Sequence, residues 1–245
     1  MMGWLPENVS TFGGRIDFLF HLIYWITAVI CLLVLAKMAL FLVLYRKRPG
    51  RPAHYSHGHA TLEVIWTVVP ALILVALTVM SGRVWRDIKG EPPPADVRVR
   101  VTGKQFNWKI LYPGPDREFG TPDDLEAEND LYVPVDRNVR VELRSEDVIH
   151  SFFLPHLRVK QDAVPGRVIE TWFEATRPGE FEIACAELCG FGHYQMRGHL
   201  YVQTPEEYDA WVRENWPAAT AALGPAPDPG GAAPGGRPAG EGVTR

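Results

Sequence analysis

The stretch FLFHLIYWITAVICLLVLAKMALFLVLY, residues 18–45, decides how this 245-residue chain is organised. It is apolar apart from His21 and Lys37, and it exceeds the roughly 20 helical residues that cross a bilayer. A second apolar run covers residues 62–84 and has Glu63 at its beginning. Two such runs in tandem predict two membrane-spanning helices rather than buried helices of a soluble protein.

The charges beside these runs predict their orientation. The N-terminal flank has Arg15 as its only basic residue, whereas the link between the runs contains Arg46, Lys47, Arg48 and Arg51. Since basic loops stay in the cytoplasm, we expect both termini outside, which in a bacterium means an inner-membrane protein with a periplasmic domain. A cleaved signal peptide is the alternative for the first run, but that run is too long and lacks a basic leader.

Beyond residue 90 the pattern changes from continuous apolar sequence to alternation. Val97, Val99 and Val101 alternate with polar residues, as in a half-buried strand. Further short strands are predicted at residues 106–110, 131–135, 139–143, 148–154, 168–175, 181–184 and 199–202. This number of strands in about 110 residues predicts a Greek-key β-sandwich or barrel.

The sequence therefore divides into three parts. Residues 1–90 form the predicted hairpin, with spans at about 18–45 and 62–84. Residues 91–216 form the outer β domain, which ends in a capped helix beginning near Thr204. Residues 217–245, rich in Ala, Pro and Gly, are predicted to be a disordered tail.

Composition excludes several classes of function. With 25 Lys and Arg against 29 Asp and Glu, the net charge of −4 gives no support to nucleic-acid binding. Three cysteines are too few for a disulfide scaffold.

The acidic stretch at residues 116–130 is either a solvated loop or a docking surface for a basic partner. A calcium site there is a further alternative, although no EF-hand pattern is present.

The loop CAELCGFGHYQM, residues 185–196, contains the densest set of metal ligands. A mononuclear blue-copper site needs two His, one Cys and a weak axial Met, and this loop adds a second Cys. Two thiolates can bridge a pair of metal ions, each completed by one imidazole and one weak axial ligand. The candidate ligands are His150, Cys185, Cys189, His193, Met196 and the carbonyl of Glu187. Such a pair suits one-electron transfer rather than bond-making chemistry.

Three other interpretations of the same residues stay open on this reasoning. Cys185 and Cys189 can form a disulfide in an oxidising compartment. The two cysteines and two histidines can hold zinc, although zinc leaves Met196 without a role. A catalytic Cys–His pair is the third alternative.

The chain resembles subunit II of the haem–copper cytochrome c oxidases up to about residue 216. The matching segments are LEVIWT (62–67) followed by Pro70, DVIHSF (147–152), KQDAVPGR (160–167) and the loop at 185–196. The resemblance implies a membrane-anchored, all-β, cupredoxin-like domain. It also implies a binuclear CuA centre of two copper ions with the ligands His150, Cys185, Glu187, Cys189, His193 and Met196.

The resemblance also implies a function for the chain as an oxidase subunit. Subunit II takes electrons from cytochrome c and passes them to haem in subunit I, where O2 is reduced to water and protons are pumped. Oxygen chemistry is then absent from subunit II itself. Its partners are subunits I and III, cytochrome c and membrane lipid. The Glu187 side chain is expected to reach a magnesium or manganese ion shared with subunit I, and Glu63 to lie near the mouth of a proton channel.

One departure from the family pattern concerns electron uptake. Family members usually have Trp at the cytochrome-facing position where this chain has Phe106. Phe106 and Trp108 are therefore the candidates for the first residue to receive an electron. The alternative function is a CuA subunit of a nitric-oxide or nitrous-oxide reductase, but Glu63 and the two-helix hairpin favour the oxidase.

Overall fold

The computed structural model describes residues 4–52, 55 and 57–216, and the tail predicted at 217–245 lies outside them. Two long helices come first, α1 (Gly13–Leu44) and α2 (Ala60–Lys89). Each contains a strongly apolar window that the rest of the protein leaves uncovered, and each is long enough to cross a membrane. At their domain-facing ends both helices continue by about one turn beyond the apolar runs.

A sandwich of two five-stranded sheets follows the helices. Its strands are β1 (Val97–Lys104), β2 (Asn107–Tyr112), β3 (Leu125–Glu128), β4 (Asp130–Pro134), β5 (Asn138–Ser145), β6 (His150–Leu154), β7 (Val159–Ala163), β8 (Ile169–Glu174), β9 (Gly179–Cys185) and β10 (Arg197–Gln203). The strand orders are β3-β2-β1-β5-β8 and β4-β10-β9-β6-β7. The pairs β1–β5 and β4–β10 are parallel, whereas the other pairs are antiparallel.

Apolar residues alternate with polar residues along the strands, and the apolar side chains fill the space between the two sheets. Val99 and Val101 of β1 face the core, and so do Leu131 of β4 and Ile183 of β9, all with no exposed surface. Complete burial of one such side chain stabilises the fold by about 1.5–3 kcal/mol relative to exposure. The predicted fold class, a two-helix hairpin followed by a β-sandwich, is confirmed.

Two strands were not expected from the sequence. β3 (LEAE) is an edge strand of its sheet. Its sequence belongs to the acidic stretch, where alternating carboxylates are also typical of a solvated loop. β7 (VKQDA) is polar along most of its length and is also an edge strand. Edge strands tolerate charged side chains because one of their sides faces solvent, so hydrophobic patterning gives little signal for them.

The hairpin is attached to the sandwich by the residues at its outer end. Ser10 forms a β-bridge with Ala175, and Phe12 is buried with its ring 5.3 Å from that of Trp172. Trp172 Nε1 donates a hydrogen bond of 2.7 Å to the carbonyl of Ile88 near the end of α2. Both helices thus contact the domain directly, and this fixes the height of the sandwich above the membrane.

A third helix, α3 (Pro205–Asn215), follows the last strand. Thr204 and Glu207 form a reciprocal capping box at its beginning. Trp211 of α3 stacks on Tyr132 of β4 with ring centroids 4.7 Å apart. The helix therefore covers outward-facing aromatic side chains of the second sheet.

Candidate metal centre

The predicted ligands are carried by segments that meet at one end of the sandwich. β9 lies between β6 and β10, and this order brings the beginning of β6 next to the end of β9. Ala186 N donates to Ser151 O at 2.9 Å, and Cys185 N donates to Met196 O at 3.1 Å. These backbone hydrogen bonds hold the two ends of the 185–196 loop beside His150.

The six predicted ligands converge at this point. The Sγ atoms of Cys185 and Cys189 are 3.9 Å apart, and the Sγ of Cys185 is 3.2 Å from the carbonyl oxygen of Glu187. The Sγ of Cys189 lies 3.6 Å from His193 Nδ1 and 3.7 Å from Met196 Sδ. The ligand atom of His150 lies within 4.8 Å of both sulfurs. Both thiols are free, and their separation is far beyond the ~2.05 Å of a disulfide bond.

His150 offers the clearest test of whether the site fits a metal. The side chain is completely buried, and among the described residues its Nδ1 has no hydrogen-bond partner. Its other ring nitrogen, Nε2, lies 2.8 Å from Asp147 Oδ1. Ligand histidines commonly use one nitrogen for the metal and donate the other N–H to a carboxylate. A buried ring nitrogen left unpaired in a histidine beside two thiols therefore fits a metal ligand, and a donor set rich in sulfur and imidazole fits copper.

The electrostatics of the metal-free site favour the thiol form of Cys189 over its thiolate. Burial, together with the neighbouring Cys185, raises the pKa of Cys189 to about 11. Asp147 behaves in the opposite way. Partial burial acts to raise its pKa, but hydrogen bonds from Gln105 N, His150 and Val148 N outweigh that effect and lower it. Asp147 is thus a stable carboxylate beside His150, and metal binding must displace protons from sulfur.

Asp147 and Gly103 support the site although the sequence reasoning gave them no role. Gly103 lies against the His150 ring, and a Cβ built at this glycine would be 2.7 Å from His150 Cδ2. The signal for Asp147 was available, since a carboxylate three residues before a ligand histidine can turn back to it. No such signal was available for Gly103, because β1 and His150 are far apart in the sequence and come into contact only in the folded domain.

The two candidates for electron uptake differ in exposure. Trp108 has no exposed surface, so a docked protein cannot touch it, although its ring centroid is 6.0 Å from that of His150. Phe106 is partly exposed and lies against Gly190 and Gly192 of the metal loop, where a Cβ would come within 3.1 Å of its ring. Beside it, the ring of Phe191 is almost entirely exposed. Phe106 is therefore the candidate that connects the metal loop with the surface.

The other predicted site residues lie apart from the sulfur cluster or point away from it. The Glu187 side chain is exposed while its carbonyl faces Cys185. Glu63 lies in the first turn of α2, at the end of the hairpin remote from the sandwich. The length of α2 therefore separates Glu63 from the sandwich and its metal loop.

The acidic stretch is split by the fold. Asp124 accepts hydrogen bonds from Gly114 N, Gly120 N and Thr121 Oγ1, so its carboxylate fastens the loop between β2 and β3. In the β2–β3 register Tyr112 lies opposite Leu125 and Lys109 opposite Glu128. Because β2 runs away from the turn at Phe106, Glu126 and Glu128 lie nearer the metal end than Asp116–Asp124 do. Exposed Glu126 and Glu128 are therefore better placed for a partner that docks beside Phe106.

Most of the chain is similar to known proteins. Residues 98–201 match the family model described as cytochrome c oxidase subunit II, periplasmic domain, and residues 3–84 match its transmembrane domain. The chain is 34% identical to the alternative cytochrome c oxidase subunit 2 of Bradyrhizobium diazoefficiens, over 86% of this chain and 83% of that protein. This chain belongs to the cytochrome c oxidase subunit II family.

Other relatives and a solved structure are similar to the chain. Subunit 2 of the Cereibacter sphaeroides oxidase is 36% identical over 78% of this chain and 75% of that protein. A crystal structure of the periplasmic domain of Bradyrhizobium japonicum subunit II, 34% identical, covers 53% of this chain and all of that one with a TM-score of 0.47. Family membership implies a copper centre, electron transport and a membrane-anchored place in a cytochrome c oxidase.

Proposed function

We propose that this chain is the electron-accepting subunit of a proton-pumping cytochrome c oxidase in the bacterial inner membrane, with its termini and sandwich on the periplasmic side. It receives electrons from cytochrome c and passes them to haem in subunit I, where O2 is reduced. The convergence of two free thiols with the unpaired, buried Nδ1 of His150 carries this proposal. In this division of labour the chain performs no oxygen chemistry itself.

The residues proposed to hold two copper ions are the six whose donor atoms converge. They are His150, Cys185, Cys189, His193, Met196 and the carbonyl of Glu187. Two copper ions bound by these residues would supply one-electron redox chemistry. The chain contributes a fixed donor set, because β6, β9 and β10 hold both ends of the ligand loop and Asp147 orients the His150 ring.

The surface around the site supports the proposed partners. Phe106 and the exposed Phe191 offer an apolar contact beside the metal loop, and Glu126 with Glu128 offers negative charge to a basic cytochrome c. The exposed Glu187 carboxylate is free to reach a magnesium or manganese ion shared with subunit I. Glu63, at the cytoplasmic end of α2 in this orientation, is proposed to lie at the mouth of the proton channel.

Metal loading of the full chain in detergent tests the copper proposal. We expect two coppers per chain and a seven-line EPR signal, because one electron shared by two copper nuclei couples to both of them. Cys189→Ser should abolish this signal. Cys31→Ser, which changes a thiol in α1 outside the site, should leave it unchanged. A four-line spectrum from a single copper, or a copper-free product with Cys185 joined to Cys189, would refute the proposal.

A further inference from the structure

Two adjoining cavities lie where the hairpin meets the sandwich. The first, about 290 Å³, is lined mainly by apolar side chains, including Leu19 of α1 and Val84 and Trp85 of α2. The second, about 240 Å³, is more polar and is bordered by Lys89 and Arg140. The two cavities are neighbours, since both are lined by Ile88, Lys89, Thr171 and Trp172.

Two basic side chains border the polar cavity. Among the described residues, neither of them forms an ion pair with a carboxylate. Lys89 Nζ donates to the neutral Oε1 of Gln161 at 2.8 Å. Arg140 Nη2 donates to Pro93 O at 3.1 Å, and its Nε is buried without a hydrogen-bond partner. Glu170 borders the same cavity, but its side chain is exposed and pairs with neither base. The cavity therefore carries a net positive charge and an unused donor.

The position of the cavities relative to the membrane indicates which anion they suit. Trp85 lies one turn before Lys89, and tryptophans at the ends of spanning helices mark the headgroup region. Arg15 and Asp87 form an exposed ion pair of 2.6 Å between the two helices at the same level. The polar cavity is thus at the height of lipid headgroups, and the apolar cavity borders the side chains that face the acyl chains.

We propose that the two cavities together bind one anionic phospholipid. Lys89 and Arg140 hold its phosphate, and the beginning of one acyl chain fills the apolar space beside Leu19, Val84 and Trp85. Basic pockets beside spanning helices bind anionic headgroups in this way. A free inorganic anion would satisfy the charges but leave the adjoining apolar cavity unfilled. The site lies apart from the sulfur cluster, so this inference does not depend on copper.

Native mass spectrometry of the full chain in detergent, with added phosphatidylglycerol or phosphatidylcholine, tests this inference. We expect one phosphatidylglycerol to be retained per chain, and Lys89→Gln or Arg140→Gln to weaken retention about five-fold each. Arg86→Gln, which removes an exposed charge of α2 outside both cavities, is the matched control and should change nothing. An unchanged circular dichroism spectrum and an unchanged unfolding midpoint show that each variant is folded.

Four outcomes would overturn the inference. Equal retention of the two lipids would mean that charge does not select the ligand. Unchanged retention by folded Lys89→Gln and Arg140→Gln variants would place the lipid elsewhere. Displacement of the lipid by millimolar inorganic phosphate would assign the cavity to a small anion. Retention by the isolated chain but loss in the assembled oxidase would show that a neighbouring subunit fills the space.

Discussion

A single methyl group at Gly103 tests whether the geometry around His150 governs metal binding. In Gly103→Ala the new Cβ would lie 2.7, 2.9 and 3.1 Å from Cδ2, Cγ and Cβ of His150. Non-bonded carbon atoms in van der Waals contact are about 3.5–4.0 Å apart, so the imidazole must move by roughly 1 Å. Metal–ligand distances deviate from their usual values by only about 0.2 Å. We expect copper affinity to fall at least about ten-fold, and the overpacked metal-free fold to lose about 1–3 kcal/mol.

The assay is competitive copper titration of the full chain, followed by EPR of the loaded protein. Gly82→Ala is the matched control, because a Cβ at that helical glycine comes within 4 Å of no described atom beyond the adjacent turns of its own helix. We expect the control to behave as the natural chain does. If Gly103→Ala bound two coppers with unchanged affinity and an unchanged spectrum, the conclusion that Gly103 fixes the position of the His150 ring would be wrong.

Five further predictions concern the site and its surroundings. Because the pKa of Cys189 is raised to about 11, copper must displace protons, so apparent copper affinity should rise from about pH 6 to about pH 8; a flat profile would contradict this. For the same reason the metal-free chain should lose stability between pH 9 and about 11, where the unfolded thiol ionises first; equilibrium unfolding at these pH values checks it. Asp147→Asn should weaken copper binding about 10–100-fold without unfolding the chain, and an unchanged titration would remove its orienting role. Glu126→Gln combined with Glu128→Gln should slow reduction of the chain by a basic cytochrome c at low salt only, and stopped-flow measurements at low and high salt would show a failure. Glu63→Gln should slow oxygen consumption by the oxidase while leaving copper reduction intact. An oxygen electrode measures this, and an unchanged rate of consumption would contradict it.

Local pattern was enough to predict several features of the fold. The two spanning helices follow from their lengths of apolar sequence, and α3 begins at the capping residue Thr204 that the sequence indicates. The strands with a clear alternation, such as β1 and β5, could be predicted for the same reason. The edge strands β3 and β7 could not, because their charged residues face solvent and remove the periodic signal.

The chemistry of the ligand set could be predicted from the sequence, because side-chain type and spacing within residues 185–196 suffice to identify sulfur, imidazole and thioether donors. The residues that surround this set could be identified only from the folded domain. The parallel pairing of β1 with β5, the burial of Trp108, the contact of Gly103 with His150 and the cavities beside Lys89 all join residues far apart in the chain. Contacts of that kind depend on how strands and helices pack, and no local spacing encodes them.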